Sequence, residues 1–175
     1  MSKKTGFLFW ITGLSGSGKT TLAKRILPYI RAKLGTTVHL DGDNLRSILK
    51  LDGYSLKDRL SNSEKYTKLV KYLTKQDVNV VFSLVGLMDK PRNWNRINIK
   101  KYVEIYIKSD VKKIIKKDKK NIYKKKKNVV GVNIKPQFPK KPHILIDNTF
   151  NKNMASLEVE LKNKISKIIL KNKNK

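Results

Sequence analysis

Apolar residues along the chain fall into two patterns. Short, nearly continuous apolar runs predict five strands, at residues 7–12, 37–40, 78–85, 102–107 and 143–147. Segments with helical spacing or composition predict helices at residues 20–34, 44–49, 63–76, 91–100, 110–117 and 154–170. Strands that alternate with helices favour an α/β fold, a doubly wound parallel sheet with helices on both faces.

Some segments depart from this alternation. Residues 52–62 are polar and predict a connection between two helices, and Pro28 predicts a kink or an early end in the first long helix. Residues 118–142 form a basic, irregular stretch, and loops of that length in a compact domain are usually lids or binding loops. We therefore expect a basic lid over about 118–142 and a frayed tail at 171–175.

The length of 175 residues predicts one domain over residues 1–175, large enough to bury a core. No run of about eighteen apolar residues occurs, so no membrane span is predicted. Lys3 and Lys4 before an apolar stretch superficially resemble a signal peptide, but the stretch is short and lacks a cleavage pattern. The chain has no cysteine, which excludes disulfides and thiolate metal sites and fits the cytoplasm.

The formal net charge is +28, from 41 Lys and Arg against 13 Asp and Glu. Such a charge normally suggests nucleic acid as a partner. The basic residues, however, are mostly Lys spread over the whole chain, and no aromatic RNA-reading motif accompanies them. We therefore interpret the charge chiefly as a bias of solvated surfaces and disfavour nucleic acid. A polyanionic substrate such as a nucleotide benefits from the field in either case.

The stretch from Gly13 to Thr20 fits the phosphate-binding pattern G-x-x-x-x-G-K-[ST], with a strand before it and a helix after it. Its glycines allow backbone N–H groups to surround a phosphate, and the helix N-terminus adds partial positive charge. Lys19 can reach the β- and γ-phosphates of ATP, and the Thr20 hydroxyl can ligate Mg²⁺ through the phosphates and water. The predicted ATP-binding residues are Gly13, Ser15, Gly16, Ser17, Gly18, Lys19, Thr20 and Thr21.

An acidic pair, Asp41 and Asp43, follows the second predicted strand. The strand at 78–85 ends without an acidic residue and no guanine-reading N-K-x-D occurs, which disfavours motors and switch GTPases. A carboxylate opposite the γ-phosphate can orient or deprotonate an acceptor hydroxyl, or hold metal-bound water. The pair therefore predicts a small-molecule kinase with Lys19 and Asp41 as catalytic residues. The alternative is an Asx-turn that caps the next helix.

Together these motifs resemble the adenylylsulfate (APS) kinase family. The resemblance spans residues 7–148 and rests on the glycine loop, on residues 40–46 (LDGDNLR), on Gly53-Tyr54-Ser55 with Asp58, Arg59 and Asn62, and on Asp118, Lys120 and Tyr123 in the lid. It implies an ATP- and Mg²⁺-dependent kinase that phosphorylates the 3′-hydroxyl of adenylylsulfate in sulfate assimilation. A nucleotide is then the substrate.

The resemblance also implies a role for each acceptor-site residue. Asp41 lies near the 3′-hydroxyl and Asp43 near the nucleotide, while Arg46, Arg59 and Asn62 hold the phosphosulfate end. Tyr54 takes the aromatic position that stacks on the substrate adenine. Val85 and Lys120 complete the implied substrate-binding set. The two arginines suit this role independently, because their planar guanidinium groups bind phosphate and sulfate oxygens through paired hydrogen bonds.

The chain departs from the family pattern at three places. Ser63-Glu64-Lys65 stands where the family usually has Ile-Arg-Arg, residues 84–88 (LVGLM) stand where it usually has an Ile-Ser-Pro segment, and the lid has Lys117-Asp118 and Asn121-Ile122 in place of Arg-Asp and Gly-Leu. Asn95-Arg96 and residues 128–132 (NVVGV) resemble a divergent branch that includes kinases of other nucleotide-activated compounds, for example CDP-linked phosphoramidate in capsule synthesis. The acceptor therefore stays open between the two compounds. A basic nucleic-acid-binding protein is the less favoured alternative, and a homodimer is one option for assembly.

Overall fold

The computed structural model describes residues 4–116, 123 and 127–173. Its sheet has five parallel strands in the order β2-β3-β1-β4-β5. The strands are β1 Leu8–Gly13, β2 Thr37–Asp41, β3 Asn79–Leu84, β4 Tyr102–Lys108 and β5 Ile144–Asp147. The predicted doubly wound α/β fold is confirmed, and β1 lies at the centre of the sheet.

Six helices connect or flank the strands in the described part of the chain. They are α1 Lys19–Leu34, α2 Gly42–Ile48, α3 Leu56–Lys75, α4 Asp89–Asn98, α5 Val111–Lys116 and α6 Met154–Lys173. None of the helices in this part of the chain is long and apolar enough to cross a bilayer.

The side chains of β1 alternate between the two faces of the sheet, as the period of two in a strand requires. Phe9 and Ile11 join the core that α1 and α6 cover. Leu8 and Trp10 face the opposite core, which includes residues of α3. All four side chains are fully buried, so the central strand reads as one continuous apolar run. This packing fixes the end of β1, where the glycine loop begins.

Helix α3 begins at Leu56, seven residues before the predicted start at residue 63. Ser55 is its N-cap and forms a capping box with Asp58, in which each residue accepts a hydrogen bond from the other's backbone N–H. The first two turns of α3 fall in residues 52–62, which we predicted as a polar connection because few of these residues are apolar. These turns are polar because they face a cavity.

The other boundaries shift by smaller amounts. Helix α1 continues through Pro28 to Leu34, with Ile26 and Ile30 fully buried on either side of the proline. Helix α6 continues to Lys173, three residues beyond the predicted end. Lys120 and Asp118 of the predicted lid lie outside the described residues. Of the described lid residues, Val129 and Val130 are buried, and Val130 packs in a small core with Leu14.

Candidate active site

A cavity of about 1410 Å³ lies at the carboxyl ends of the strands, where open α/β sheets bind their ligands. Most of the predicted site residues line it: Ser15, Gly16, Gly18, Lys19, Thr20, Thr21, Asp41, Asp43, Arg46, Tyr54, Arg59, Asn62 and Val85. Two predicted residues do not line the cavity. Ser17 belongs to the glycine loop but is fully buried, and Gly13 is the last residue of β1. The structure thus brings together the glycine loop and the acceptor residues, which are far apart in sequence.

The glycine loop takes a conformation that only glycine adopts easily. Gly16 and Gly18 have φ angles of 79° and 90°, in the left-handed region. Gly18 is also the N-cap of α1 and has no side chain to cap the first N–H groups of the helix. A Cβ at position 18 would lie 2.8 Å from Cε of Met154. The loop therefore leaves backbone donors at a helix N-terminus beside the cavity, an arrangement suited to phosphate.

Three side chains donate hydrogen bonds to carbonyl groups of the glycine loop. Lys19 Nζ donates to the Leu14 carbonyl at 2.6 Å. Tyr123 Oη donates to the Ser15 carbonyl at 2.8 Å, and Asn148 Nδ2 donates to the Ser17 carbonyl at 3.0 Å. Asn148 is fully buried directly after β5. Three carbonyl groups of the loop therefore have hydrogen-bond donors within the protein.

Asp41, the last residue of β2, accepts four hydrogen bonds. Its Oδ2 accepts from Thr20 Oγ1 at 2.8 Å and from Ser83 Oγ at 2.9 Å. Its Oδ1 accepts from the backbone N–H groups of Asp43 and Asn44 at the start of α2. The interpretation of Asp41 as the cap of α2 is therefore correct for Oδ1. The other oxygen, Oδ2, contacts Thr20 at the end of the glycine loop.

These hydrogen bonds control the charge of Asp41. Burial raises the pKa of the carboxyl, but the bonds from Thr20 and Ser83 and those from the α2 backbone outweigh burial and lower the pKa below its ordinary value. Asp41 is therefore ionised at neutral pH and a weak proton acceptor. Its geometry suits a carboxylate that orients a hydroxyl or a metal-bound water rather than one that removes a proton.

His39 extends this network away from the cavity. Its Nε2 lies 3.2 Å from Ser83 Oγ, and because Ser83 donates its own proton to Asp41, Nε2 is the donor in this contact. Burial lowers the pKa of His39; Asp41 opposes this shift, whereas Lys24 and Arg31 add to it. His39 is thus a half-buried residue that supports Ser83.

Tyr54 lies between the two predicted arginines. Arg46 Cζ is 4.5 Å from the Tyr54 ring centroid, and Arg59 Cζ is 5.5 Å from it. Arg46 Nη1 donates to the carbonyls of Leu51 and Gly53, at 2.9 and 2.7 Å. Arg59 donates to the Tyr54 carbonyl and, across the cavity mouth, to the Asn128 carbonyl at 2.9 Å. The arginines are thus fixed on one wall and give it a positive charge.

The segment after β3 is held by a buried ion pair. Gly86 has a φ of 45°, in the left-handed region that favours glycine. Arg92 Nη1 donates to the Gly86 carbonyl at 3.1 Å, and Arg92 Nε forms an ion pair of 3.2 Å with Glu104. Both charged side chains are almost fully buried. The ion pair therefore fixes the backbone next to Val85 at the cavity wall.

Sequence reasoning missed several residues of the cavity wall. Among those that it did not assign to a site are Ser63, Tyr66, Ser83, Met88, Asn128 and Phe150. Tyr66 follows Asn62 by four residues and so shares a helix face with it. That spacing was the signal available in the sequence. Phe150 and Asn128 reach the cavity only through the fold and carried no such signal.

The oxygen donors of the site fit Mg²⁺ better than a metal that needs a full set of protein ligands. Within the described ranges, no group of three or more His, Asp or Glu side chains could hold a metal ion. Mg²⁺ is usually bound by one or two protein oxygens together with phosphates and water. Thr20 Oγ1 and the Asp41 carboxylate, 2.8 Å apart, provide oxygens of that kind.

Comparison with known proteins agrees with this geometry. A sequence model of the family described as adenylylsulphate kinase matches residues 5–147. The cytidine diphosphoramidate kinase of Campylobacter jejuni is 34% identical over 164 residues, which cover 91% of this chain and 95% of that protein. The adenylyl-sulfate kinase of Clostridium acetobutylicum is 33% identical over 154 residues, which cover 84% of this chain and 77% of that protein.

Other matches are partial or concern the fold alone. Three proteins with adenylyl-sulfate kinase in their names match over 103 to 107 residues, and this chain spans 50% to 59% of their length. The APS kinase of Mycobacterium tuberculosis, solved with AMPPNP and APS, superposes with a TM-score of 0.81 at 24% identity, covering 93% of this chain and 98% of that one. The chain belongs to the adenylylsulphate kinase family, a family of ATP-using phosphotransferases.

Proposed function

We propose that the protein transfers the γ-phosphate of ATP to a ribose hydroxyl of a nucleotide-linked compound, and that cytidine diphosphoramidate is its acceptor. The observation that carries the kinase proposal is the contact between Thr20 and Asp41. It joins the phosphate-binding loop to the acidic residue of the acceptor side within one cavity.

The glycine loop and α1 bind the donor in this proposal. Backbone N–H groups at the start of α1 hold the β- and γ-phosphates, and Lys19 adds charge as the phosphoryl group is transferred. Thr20 Oγ1, together with the phosphate oxygens, would hold Mg²⁺, which would neutralise charge that develops on the phosphates. Because the donor is ATP, we place the activity in the cytoplasm.

In this proposal the acceptor lies at the wall of the cavity opposite the glycine loop. Asp41 holds a metal-bound water or orients the ribose hydroxyl, since its lowered pKa makes it a weak base. Arg46 and Arg59 bind the anionic part of the acceptor, and the exposed edge of Tyr54 contacts its base. Asp43, at the start of α2, faces the same space.

Three observations favour the cytidine compound. The match to the cytidine diphosphoramidate kinase covers nearly all of both chains. Residues 84–88 (LVGLM) stand where the family usually has an Ile-Ser-Pro segment, and Val85, Gly86 and Met88 of this stretch line the cavity. Ser63 replaces the isoleucine of the family pattern directly after Asn62, and both residues line the cavity. The cavity wall thus departs from the family pattern at both segments.

Adenylylsulfate is the second candidate, with sulfate assimilation as its context. It is supported by the family match over residues 5–147 and by the Clostridium acetobutylicum relative, whose identity to this chain is nearly the same.

Acceptor-dependent ADP formation distinguishes the two. The protein is mixed with ATP, Mg²⁺ and one acceptor at a time: cytidine diphosphoramidate, CDP, adenylylsulfate or AMP. We expect the highest kcat/KM with cytidine diphosphoramidate. A preference for adenylylsulfate would replace the first candidate by the second, and ADP release independent of any acceptor would refute both.

A further inference from the structure

Two buried polar atoms of α3 lack a hydrogen-bond partner among the described residues. They are Asn62 Nδ2 and Tyr66 Oη. The side chains are 5% and 4% exposed, and both residues line the large cavity. A buried donor without a partner is costly, and native proteins seldom retain one without a use. Because both residues line the cavity, a molecule bound there can supply the missing partner.

The Tyr66 ring cannot leave this position to reach solvent. It packs edge-on against Phe82, with ring centroids 5.4 Å apart, and Phe82 packs in the same manner against Trp10 at 5.1 Å. Phe82 and Trp10 are fully buried. The hydroxyl is therefore fixed to the core of the sheet, and any partner has to come to it from the cavity.

The Tyr66 hydroxyl is a donor in this environment. Burial raises the pKa of Tyr66; Arg46 opposes this rise, whereas Asp43 and Tyr54 add to it. The phenol thus keeps its proton at neutral pH. Asn62 Nδ2 can only donate. Two donors four residues apart on one helix face require a hydrogen-bond acceptor in the ligand.

We propose that the Tyr66 hydroxyl, beside Asn62, forms a subsite that binds an oxygen atom of the acceptor nucleotide, with Tyr66 as a specificity-determining residue. The proposal rests on the proposed function, since it assumes a nucleotide-linked acceptor in this cavity. Asn62 already belongs to the substrate-binding set that the family resemblance implies, so the new member of the site is Tyr66.

Two parts of an acceptor carry such an oxygen. One is the carbonyl of a pyrimidine base, which adenine lacks. The other is a phosphoryl or sulfonyl oxygen of the group attached beyond the first phosphate, which suits the proximity of Arg46. The chemistry at the subsite is the same in both, namely an oxygen that accepts from two neutral donors.

The test is binding of an acceptor panel to wild type and to Tyr66→Phe, measured by titration calorimetry. Tyr72→Phe is the matched control, because Tyr72 lies on the same helix and is 65% exposed. The panel consists of CMP, CDP, AMP and adenylylsulfate. We expect Tyr66→Phe to weaken binding of some panel members roughly threefold to tenfold, the effect of losing one neutral hydrogen bond.

The pattern of losses identifies the oxygen. Weaker binding of CMP and CDP with AMP unchanged supports the base carbonyl. Weaker binding of CDP and adenylylsulfate with CMP and AMP unchanged supports the distal group. Unchanged binding of every panel member overturns the subsite, while wild-type protein that binds no member refutes the proposed function as well.

A stability measurement separates this role from a structural one. Because the hydroxyl has no partner in the empty protein, removing it should leave the urea midpoint unchanged or higher. A midpoint clearly below that of Tyr72→Phe would show that the hydroxyl stabilises the fold, and would overturn the proposal.

Discussion

Thr20 Oγ1 donates a hydrogen bond of 2.8 Å to Asp41 Oδ2. Thr20 ends the phosphate-binding pattern, and Asp41 begins the acidic pair of the acceptor side. The bond leaves the lone pairs of Thr20 Oγ1 available for a cation, and it places a second oxygen ligand beside them. Under the proposed function, this one contact links the residues that bind the nucleotide and the metal to the residue that positions the acceptor.

Asp41→Asn should lower kcat by a factor on the order of 10² to 10³, the scale of one preorganised electrostatic contact. The amide oxygen can still cap α2, so the urea midpoint should change little, whereas the amide nitrogen cannot accept from Thr20. The Mg²⁺ concentration for half-maximal rate should rise. Asp77→Asn, far from the cavity, is the control. Full activity at unchanged Mg²⁺ demand would exclude the proposed role of Asp41.

Lys19→Ala should lower kcat by a similar factor, on the order of 10² to 10³, because a buried cation beside the phosphates is lost. The exposed Lys33 of the same helix provides the matched control, Lys33→Ala, which should keep wild-type turnover. Steady-state rates of ADP formation measure both variants. Near-wild-type turnover of Lys19→Ala would be incompatible with ATP binding at the glycine loop.

Unfolding free energy should fall between about pH 7.5 and pH 5 because of the two histidines. Burial lowers the pKa of His39 and of His143 below the ordinary value of 6.5, and Arg96 adds to the shift of His143. Below 6.5 the unfolded chain takes up protons that the folded protein does not, so the stabilisation present above 6.5 is lost as the pH falls toward the folded values. Urea denaturation at several pH values measures the slope.

His143→Gln should reduce this slope. His143 Nδ1 accepts from the backbone N–H of Glu104 at 2.9 Å, which requires an unprotonated nitrogen. A glutamine oxygen can accept the same bond and does not titrate. A pH dependence equal to that of the wild type would contradict the assignment to His143.

Glu104→Gln should destabilise the fold by up to about 3–5 kcal/mol, because it leaves the buried Arg92 with the partly exposed Asp89 as its remaining charge partner. Arg96 also pairs with Glu104 at 2.6 Å but is partly exposed, so it contributes less. Glu64→Gln, which removes the exposed pair with Lys68, should change the urea midpoint little. Equal midpoints for the two variants would refute the importance of the buried pair.

The structural elements predicted best from the sequence are those that depend on residues close together in the chain. The strand, glycine loop and helix from Leu8 to Leu34 form as predicted, because apolar run, glycines and helical spacing all lie in one segment. The fold class followed from the alternation of such segments. The start of α3 was missed, because an apolar pattern cannot mark turns whose polar residues face a cavity.

The candidate site was less predictable, since its contacts join distant segments. The bond between Thr20 and Asp41 depends on the sheet order, and the donation from Ser83 to Asp41 depends on the pairing of β2 with β3. Tyr66 fits the pattern of a core residue and is one, but it also lines the cavity. Hydrophobic periodicity alone cannot distinguish such a residue from one that only packs in the core.

The central claim, phosphoryl transfer to a ribose hydroxyl of a nucleotide-linked acceptor, is tested most directly by the product. The protein is incubated with ATP, Mg²⁺ and cytidine diphosphoramidate, or with adenylylsulfate, and the purified product is examined by ³¹P and ¹H NMR. We predict a new phosphomonoester coupled to the ribose 3′ proton of the acceptor. Release of inorganic phosphate without a phosphorylated acceptor, or phosphate attached elsewhere than on the ribose, would contradict the account.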